Sequence, residues 1–181
     1  SGEQLAAIDS SDMPSLSLAA VTAITGGQIS QLTTAQLSKL TSNQIAAIAT
    51  SSIDDLTAEQ VLGLTSAQVR SLTASQIANL TADQVKALDT AEDIAAFGTA
   101  GIKAMTSVQI GALTSAEAAQ ISVAQIAQIS ADNLSKMAVD AASSLSTSAV
   151  RAINATQLVK LSTDQTAGLS TQQVAAIDNA V

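Results

Sequence analysis

A large aliphatic residue, or a stand-in for one, returns every eight residues almost from one end of this chain to the other. The series runs Ile8, Leu16, Ile24, Leu32, Leu40, Ile48, Leu56, Leu64, Leu72, Leu80, Leu88. One residue is then inserted within 89–96. The register resumes at Phe97, Met105, Leu113, Ile121, Ile129, Met137, Leu145, Ile153, Leu161, Leu169 and Ile177. The unit reads Leu-Thr-x-x-Gln-Val/Ile-x-x, with a second apolar site at position six, as in Leu37, Ile45, Val61, Val69, Ile77 and Val85. An octad cannot sit on one long helix. Eight residues at about 100° each overshoot two turns by roughly 80°, so the leucines would wind around every face and none could be buried. Nor does the unit alternate as a strand must.

A helix that restarts in every octad accounts for the pattern. Position two is mostly Thr, Ser, Asp or Asn, the residues whose side-chain oxygen caps a helix N-terminus. Gln or Glu commonly follows three residues later, as in Thr41/Gln44, Thr65/Gln68 and Thr114/Glu117. That is the capping box, and the aliphatic residues before the cap and at the fourth helical position form the hydrophobic staple. Charge placement agrees. All seven cations fall at positions seven or eight, and 11 of the 15 acids fall at positions two, four or five. Peptide dipoles favour acids at helix starts and bases at helix ends.

One octad is too small to offset the entropy of ordering it, so octads must stack and share a core. The sequence predicts an all-α solenoid, or superhelix, of about 22 very short capped helices, one per eight-residue repeat, with positions one and six inside. It forms a single repeat domain over 1–181. Two, three or more helices per turn all fit the pattern, which shows no clean period of 16 or 24. The chain opens Ser1-Gly2 with no leader, and we read it as a piece of a longer protein.

Composition removes whole classes of chemistry. With no Cys and no His, the chain offers no thiol nucleophile, disulfide, structural zinc set or imidazole base. The net charge of −8, with seven basic residues, argues against nucleic acid as a partner. No run of 18 apolar residues is present to insert into a membrane. The acidic pairs Asp54-Asp55 and Glu92-Asp93 lack an ionisable neighbour cluster, Gly26-Gly27 lacks the rest of a phosphate loop, and no EF-hand loop occurs. The expectation is a chain that is not an enzyme, with no catalytic residues, no metal site and no cofactor.

The one irregular stretch is the insertion, which brings Glu92 and Asp93 next to Phe97, Gly98 and Gly101. It reads as a wider turn in the repeat. As a candidate site, it is a hinge or contact point with the lone aromatic and its flanking glycines exposed.

Leu40–Ser51, LTSNQIAAIATS, resembles the opening helix of a TAL-effector repeat. The likeness ends there, because that family repeats on a longer unit and presents a basic surface. More broadly, the Leu-Thr-x-x-Gln-Val/Ile octads resemble repeat regions of large bacterial secreted and surface proteins of adhesin type. That resemblance implies an extracellular or cell-surface location and a spacer, scaffold or adhesive role.

Two other roles fit the residues. A protein- or glycan-binding solenoid would use the variable positions three, four, seven and eight, although these are mostly Ala, Ser and Thr. Ice or crystal-surface binding would use the regular Thr residues, which capping already employs. End-to-end self-association through Leu5 and Ile8 at one end and Ile177 and Val181 at the other is a further expectation.

Overall fold

A computed structural model describes residues 1–88 and 93–178. Among them are 20 short α-helices and two 3-10 segments, with no strand. The helices are four to eight residues long, from Gly26–Ile29 to Thr171–Asp178. The chain falls into two compact units, residues 1–88 and 89–181, which are divided at the octad that carries the insertion.

Each octad folds as its capping chemistry dictates. In the helix Ser66–Ser71, the Thr65 hydroxyl accepts from the Gln68 amide at 3.3 Å, and Gln68 Oε1 accepts from the Thr65 amide at 2.9 Å. The same reciprocal box closes on Thr33, Thr41, Thr57, Thr73, Thr81, Thr106 and Thr114, and on Ser122, Asn154 and Ser162. Several helices then end where the chain turns extended at the next anchor, and others end one residue earlier at a cap that is still helical. Leu40, for example, has φ −60° and ψ 140°. No non-glycine residue among those described needs a positive φ.

Two segments depart from α-helix. Ser10–Ser15 is 3-10 and contains Pro14, which has no amide to donate. Thr50–Ser52 is also 3-10, and its cap position is Ala49, which has no side-chain oxygen.

Positions one and six fill the core, as expected. In the first unit Val21, Ile29, Leu37, Ile53 and Val61 at position six are fully buried. Their neighbours Ile24, Leu32, Leu40, Ile48 and Leu56 at position one are buried nearly as deeply. In the second unit Ile94, Ile110, Ile126, Leu134 and Val150 do the same with Phe97, Met105, Leu113, Ile121 and Ile129.

Inside each unit, a helix packs on the helix three octads before it. Leu18–Thr22 lies on Ser42–Ala47 and Ala58–Leu62 on Ala82–Ala87, while Ser115–Ala119 lies on Val139–Ser143. Hydrogen bonds between successive turns span 25 to 31 residues, which puts between three and four octads in each turn. The octad sequence left this number open.

At two close approaches between turns, position three of one octad meets position eight of the octad three further on. A Cβ on Gly63 would lie 3.1 Å from Thr34 Cβ, and one on Gly168 would lie 3.1 Å from Val139 Cγ1. Glycine at position eight therefore relieves a bulkier partner at position three.

Candidate functional site

Chemistry-bearing side chains gather in one place that repetition alone did not predict: position five. The sequence assigns the Gln there to the capping box. The structure confirms that role through Oε1 and adds a second through Nε2. Gln44 Nε2 donates to the Met13 carbonyl at 3.0 Å and the Leu16 carbonyl at 2.7 Å, 31 and 28 residues earlier. Gln60 does so to Ile29 and Leu32, Gln68 to Leu37 and Leu40, and Gln84 to Ile53 and Leu56. In the second unit Gln157 takes Ile126 and Ile129, and Gln165 takes Leu134 and Met137. One amide thus closes the helix it starts and the helix end beneath it.

These glutamines are buried, Gln68 being 2% exposed. Buried amides are tolerated only when paired, and here both ends are. Substitutions at position five obey the same geometry. Ser52 and Asn133 are too short for two carbonyls and reach only the nearer one, 28 residues back, at Ile24 (3.2 Å) and Met105 (2.8 Å). Ala141 and Ala149 fill the slot with a small apolar side chain. Glu117, the one carboxyl among the capping boxes of the described residues, is buried and accepts from the Thr114 amide at 2.6 Å through Oε2.

The predicted contact point at the insertion is arranged differently from its sequence reading. Glu92 lies outside the described residues. Asp93 begins the helix Asp93–Ala96, but its side chain also lies outside them. Phe97 is 1% exposed and takes the anchor place in the core, so the lone aromatic is not the exposed contact that its isolation implied. The cause is register: after the insertion Phe97 occupies position one, which is an interior position. Gly101 is buried beside Ile102, at position five of its octad. Gly98 is exposed, stands in the cap position and donates its amide to the Ala96 carbonyl at 2.9 Å.

Among the described residues, no group of three or more acids could hold a metal ion. Asp54 and Asp55 stand in the turn between two helices, and both are exposed. Asp9 caps Ser10–Ser15. The Ser11 hydroxyl (2.7 Å) and amide (2.8 Å) both donate to it and hold its carboxyl below the ordinary aspartate value. No described helix is long and apolar enough to cross a membrane. The regular Thr hydroxyls accept from backbone amides at the helix starts, which is the capping role that weighs against an ice-binding array.

Among the described residues surface ion pairs are few. Lys160 Nζ lies 3.1 Å from Asp132 Oδ1, spanning two turns, and Lys86 lies 3.8 Å from Asp83 within one helix. Both are exposed and contribute little. Five of the seven cations, Lys39, Arg70, Lys86, Lys103 and Arg151, stand in the last turn of a helix, where the peptide dipole favours them, while Lys136 and Lys160 lie just past the ends of theirs.

No curated protein and no solved structure matches the chain. The family model described as the ALTTAQ repeat matches two adjacent segments, residues 59–90 and 91–122. Each spans four octads, so this part of the chain is similar to a repeat family whose unit is a multiple of the octad read from the sequence.

Proposed function

We propose that the chain is a non-enzymatic structural repeat module of a secreted or cell-surface bacterial protein, serving as spacer, scaffold or adhesive segment. One observation carries this reading. The polar residues that the repeat retains, at positions two and five, are used up inside the fold as caps and inter-turn fasteners. What faces outward at positions three, four, seven and eight is mostly Ala, Ser and Thr, poor in the Trp, Tyr and Arg that dominate binding hot spots. The match to a repeat family supports the structural part of this reading. The adhesin-type resemblance supports the surface location.

A second reading, a protein- or glycan-binding solenoid, draws on the aliphatic residues left outside. Val108 is 66% exposed and Val159 79%. They are scattered over different octads, which favours the spacer.

The test is binding of the fluorescently labelled chain to bacterial cells, host cells and abiotic surfaces, against a control with scrambled octads. Binding at the level of the control fits a spacer. Saturable binding that is lost in Val108→Ser/Val159→Ser overturns the spacer in favour of recognition.

A further inference from the structure

The sequence holds three Asn-x-Ser/Thr triplets, the acceptor pattern for a sugar on the asparagine amide: Asn79-Leu80-Thr81, Asn133-Leu134-Ser135 and Asn154-Ala155-Thr156. The fold treats them differently. Asn133 Nδ2 donates to the Met105 carbonyl at 2.8 Å as a tie between turns, and Leu134 is fully buried. Asn79 is exposed, but Leu80 is a buried core anchor and the Thr81 hydroxyl accepts from the Gln84 amide at 3.2 Å. Neither of these triplets can enter an enzyme's cleft without drawing a leucine out of the core.

The third triplet is open. Asn154, Ala155 and Thr156 are all exposed. Asn154 caps the helix Ala155–Leu158, and the cap uses only its oxygen: Oδ1 accepts from the Gln157 amide at 3.0 Å. Among the described residues, Asn154 Nδ2 and the Thr156 hydroxyl make no hydrogen bond. Ser or Thr caps the other boxes with a hydroxyl, so the side-chain NH2 of Asn154 is a group that capping does not need. Beside the triplet lies a hollow of about 560 Å³, lined by Lys103, Gln128 and Ser130 as well as by Asn154 and Thr156. An ammonium, an amide and a hydroxyl are groups that hydrogen-bond sugar hydroxyls.

We propose that Asn154 is an N-glycosylation site, modified in the folded chain by an asparagine glycosyltransferase that uses a nucleotide-activated hexose. In the transfer, Nδ2 bonds to C1 of the hexose as the bond from C1 to the phosphate oxygen breaks. The nucleoside diphosphate leaves with the electron pair, and the transferase takes one Nδ2 proton. Oδ1 keeps the Gln157 amide, so the helix start is preserved, and the hexose lies over the hollow. The fold selects this triplet from the three. The assignment rests on side-chain accessibility and not on the proposed role, so either can fail alone.

Peptide mapping by mass spectrometry of the chain isolated from its own cells tests it. Trypsin cuts after Arg151 and Lys160 and releases residues 152–160, in which Asn154 is the one asparagine. That peptide is expected to carry a hexose, and the peptides holding Asn79 and Asn133 none. Asn154→Ser keeps a capping oxygen, and Thr156→Val removes the hydroxyl. Each is expected to lose the sugar with an unchanged circular dichroism spectrum. In a second arm, a purified transferase of Asn-x-Ser/Thr specificity and UDP-glucose act on the folded chain and on synthetic peptides of residues 76–84, 130–138 and 151–159. All three peptides are expected to be modified, but in the folded chain Asn154 alone. A bare 152–160 peptide in the chain from its own cells overturns the proposal. So does a sugar at Asn79 or Asn133 in its place, or a transferase that takes the 151–159 peptide and not the folded chain.

Discussion

The side-chain amide of Gln68 donates to the carbonyl of Leu40 at 2.7 Å, 28 residues away, while its oxygen accepts from Thr65 at the start of its own helix. That one side chain ties an octad to itself and to the turn beneath it. The same tie recurs from Gln36 to Ile8, from Gln76 to Ile48 and from Gln173 to Leu145. Very short helices, each too small to persist alone, are stable here because many of their starts are fastened to an earlier end.

Removing this fastener should be costly. Gln68→Leu removes the side-chain donor to the carbonyls of Leu37 and Leu40, of which Leu37 keeps the Leu40 amide, and should lower unfolding free energy by about 2–3 kcal/mol. Gln68→Glu should cost at least as much at pH 7, since it sets a carboxylate against two carbonyls, and should recover part of the loss at pH 4 as the acid protonates and can donate. Gln4→Leu, whose amide takes no described carbonyl, should change stability by less than about 0.5 kcal/mol. Urea titrations of the three variants check the ranking.

Phe97 should behave as a core residue and not as a contact. Phe97→Ala should destabilise by about 3–5 kcal/mol, the range for a buried aromatic, and Phe97→Leu by far less. Thermal unfolding followed by circular dichroism measures both.

Glycines separate by what surrounds them. A Cβ on Gly111 would stand 3.0 Å from the Lys136 carbonyl oxygen, so Gly111→Val should push two turns apart and lower the melting temperature. Gly27 lies in a helix with open space around it, and Gly27→Ala should stabilise by about 0.5–1 kcal/mol through the unfolded chain. Calorimetry of the two variants gives opposite signs.

Asp9 makes the first turn sensitive to acid. Its carboxyl is held below the ordinary value by Ser11, so its contribution is present above the unfolded value of 3.8 and is lost as pH falls through the folded value. The Ser11 amide resonance should therefore titrate with a midpoint below 3.8 in the wild-type chain. In Asp9→Asn that transition should be gone.

Much of this architecture is legible in the residues. Leu40 and Ile45 mark the interior, Thr41 marks the helix start, and Lys39 marks the end of the helix before it, because each choice answers a local requirement of a short helix. The inter-turn role of Gln44 is not legible, because Glu serves a capping box as well as Gln does. The only trace of the second bond is that Gln dominates position five, and a uniform octad hides which carbonyl 28 or 31 residues back receives it. The number of octads per turn was hidden for the same reason. Phe97 looked exceptional by composition, yet counting the octad register places it at an anchor.

The register between turns is the centre of this account, and a cysteine pair reads it directly in a chain that has no other thiol. Thr34 and Gly63 face each other across two turns: a Cβ on Gly63 stands 3.1 Å from the Thr34 Cβ, so a small outward shift brings the pair to the roughly 3.8 Å that a disulfide spans. Thr34→Cys/Gly63→Cys should oxidise rapidly and completely in the folded chain, with the helical spectrum retained. The control pair Thr34→Cys/Asn79→Cys, five octads apart, should stay reduced. A Thr34/Gly63 pair that fails to cross-link while the chain remains helical, or a control that cross-links as fast, would contradict the stacking of three to four octads per turn.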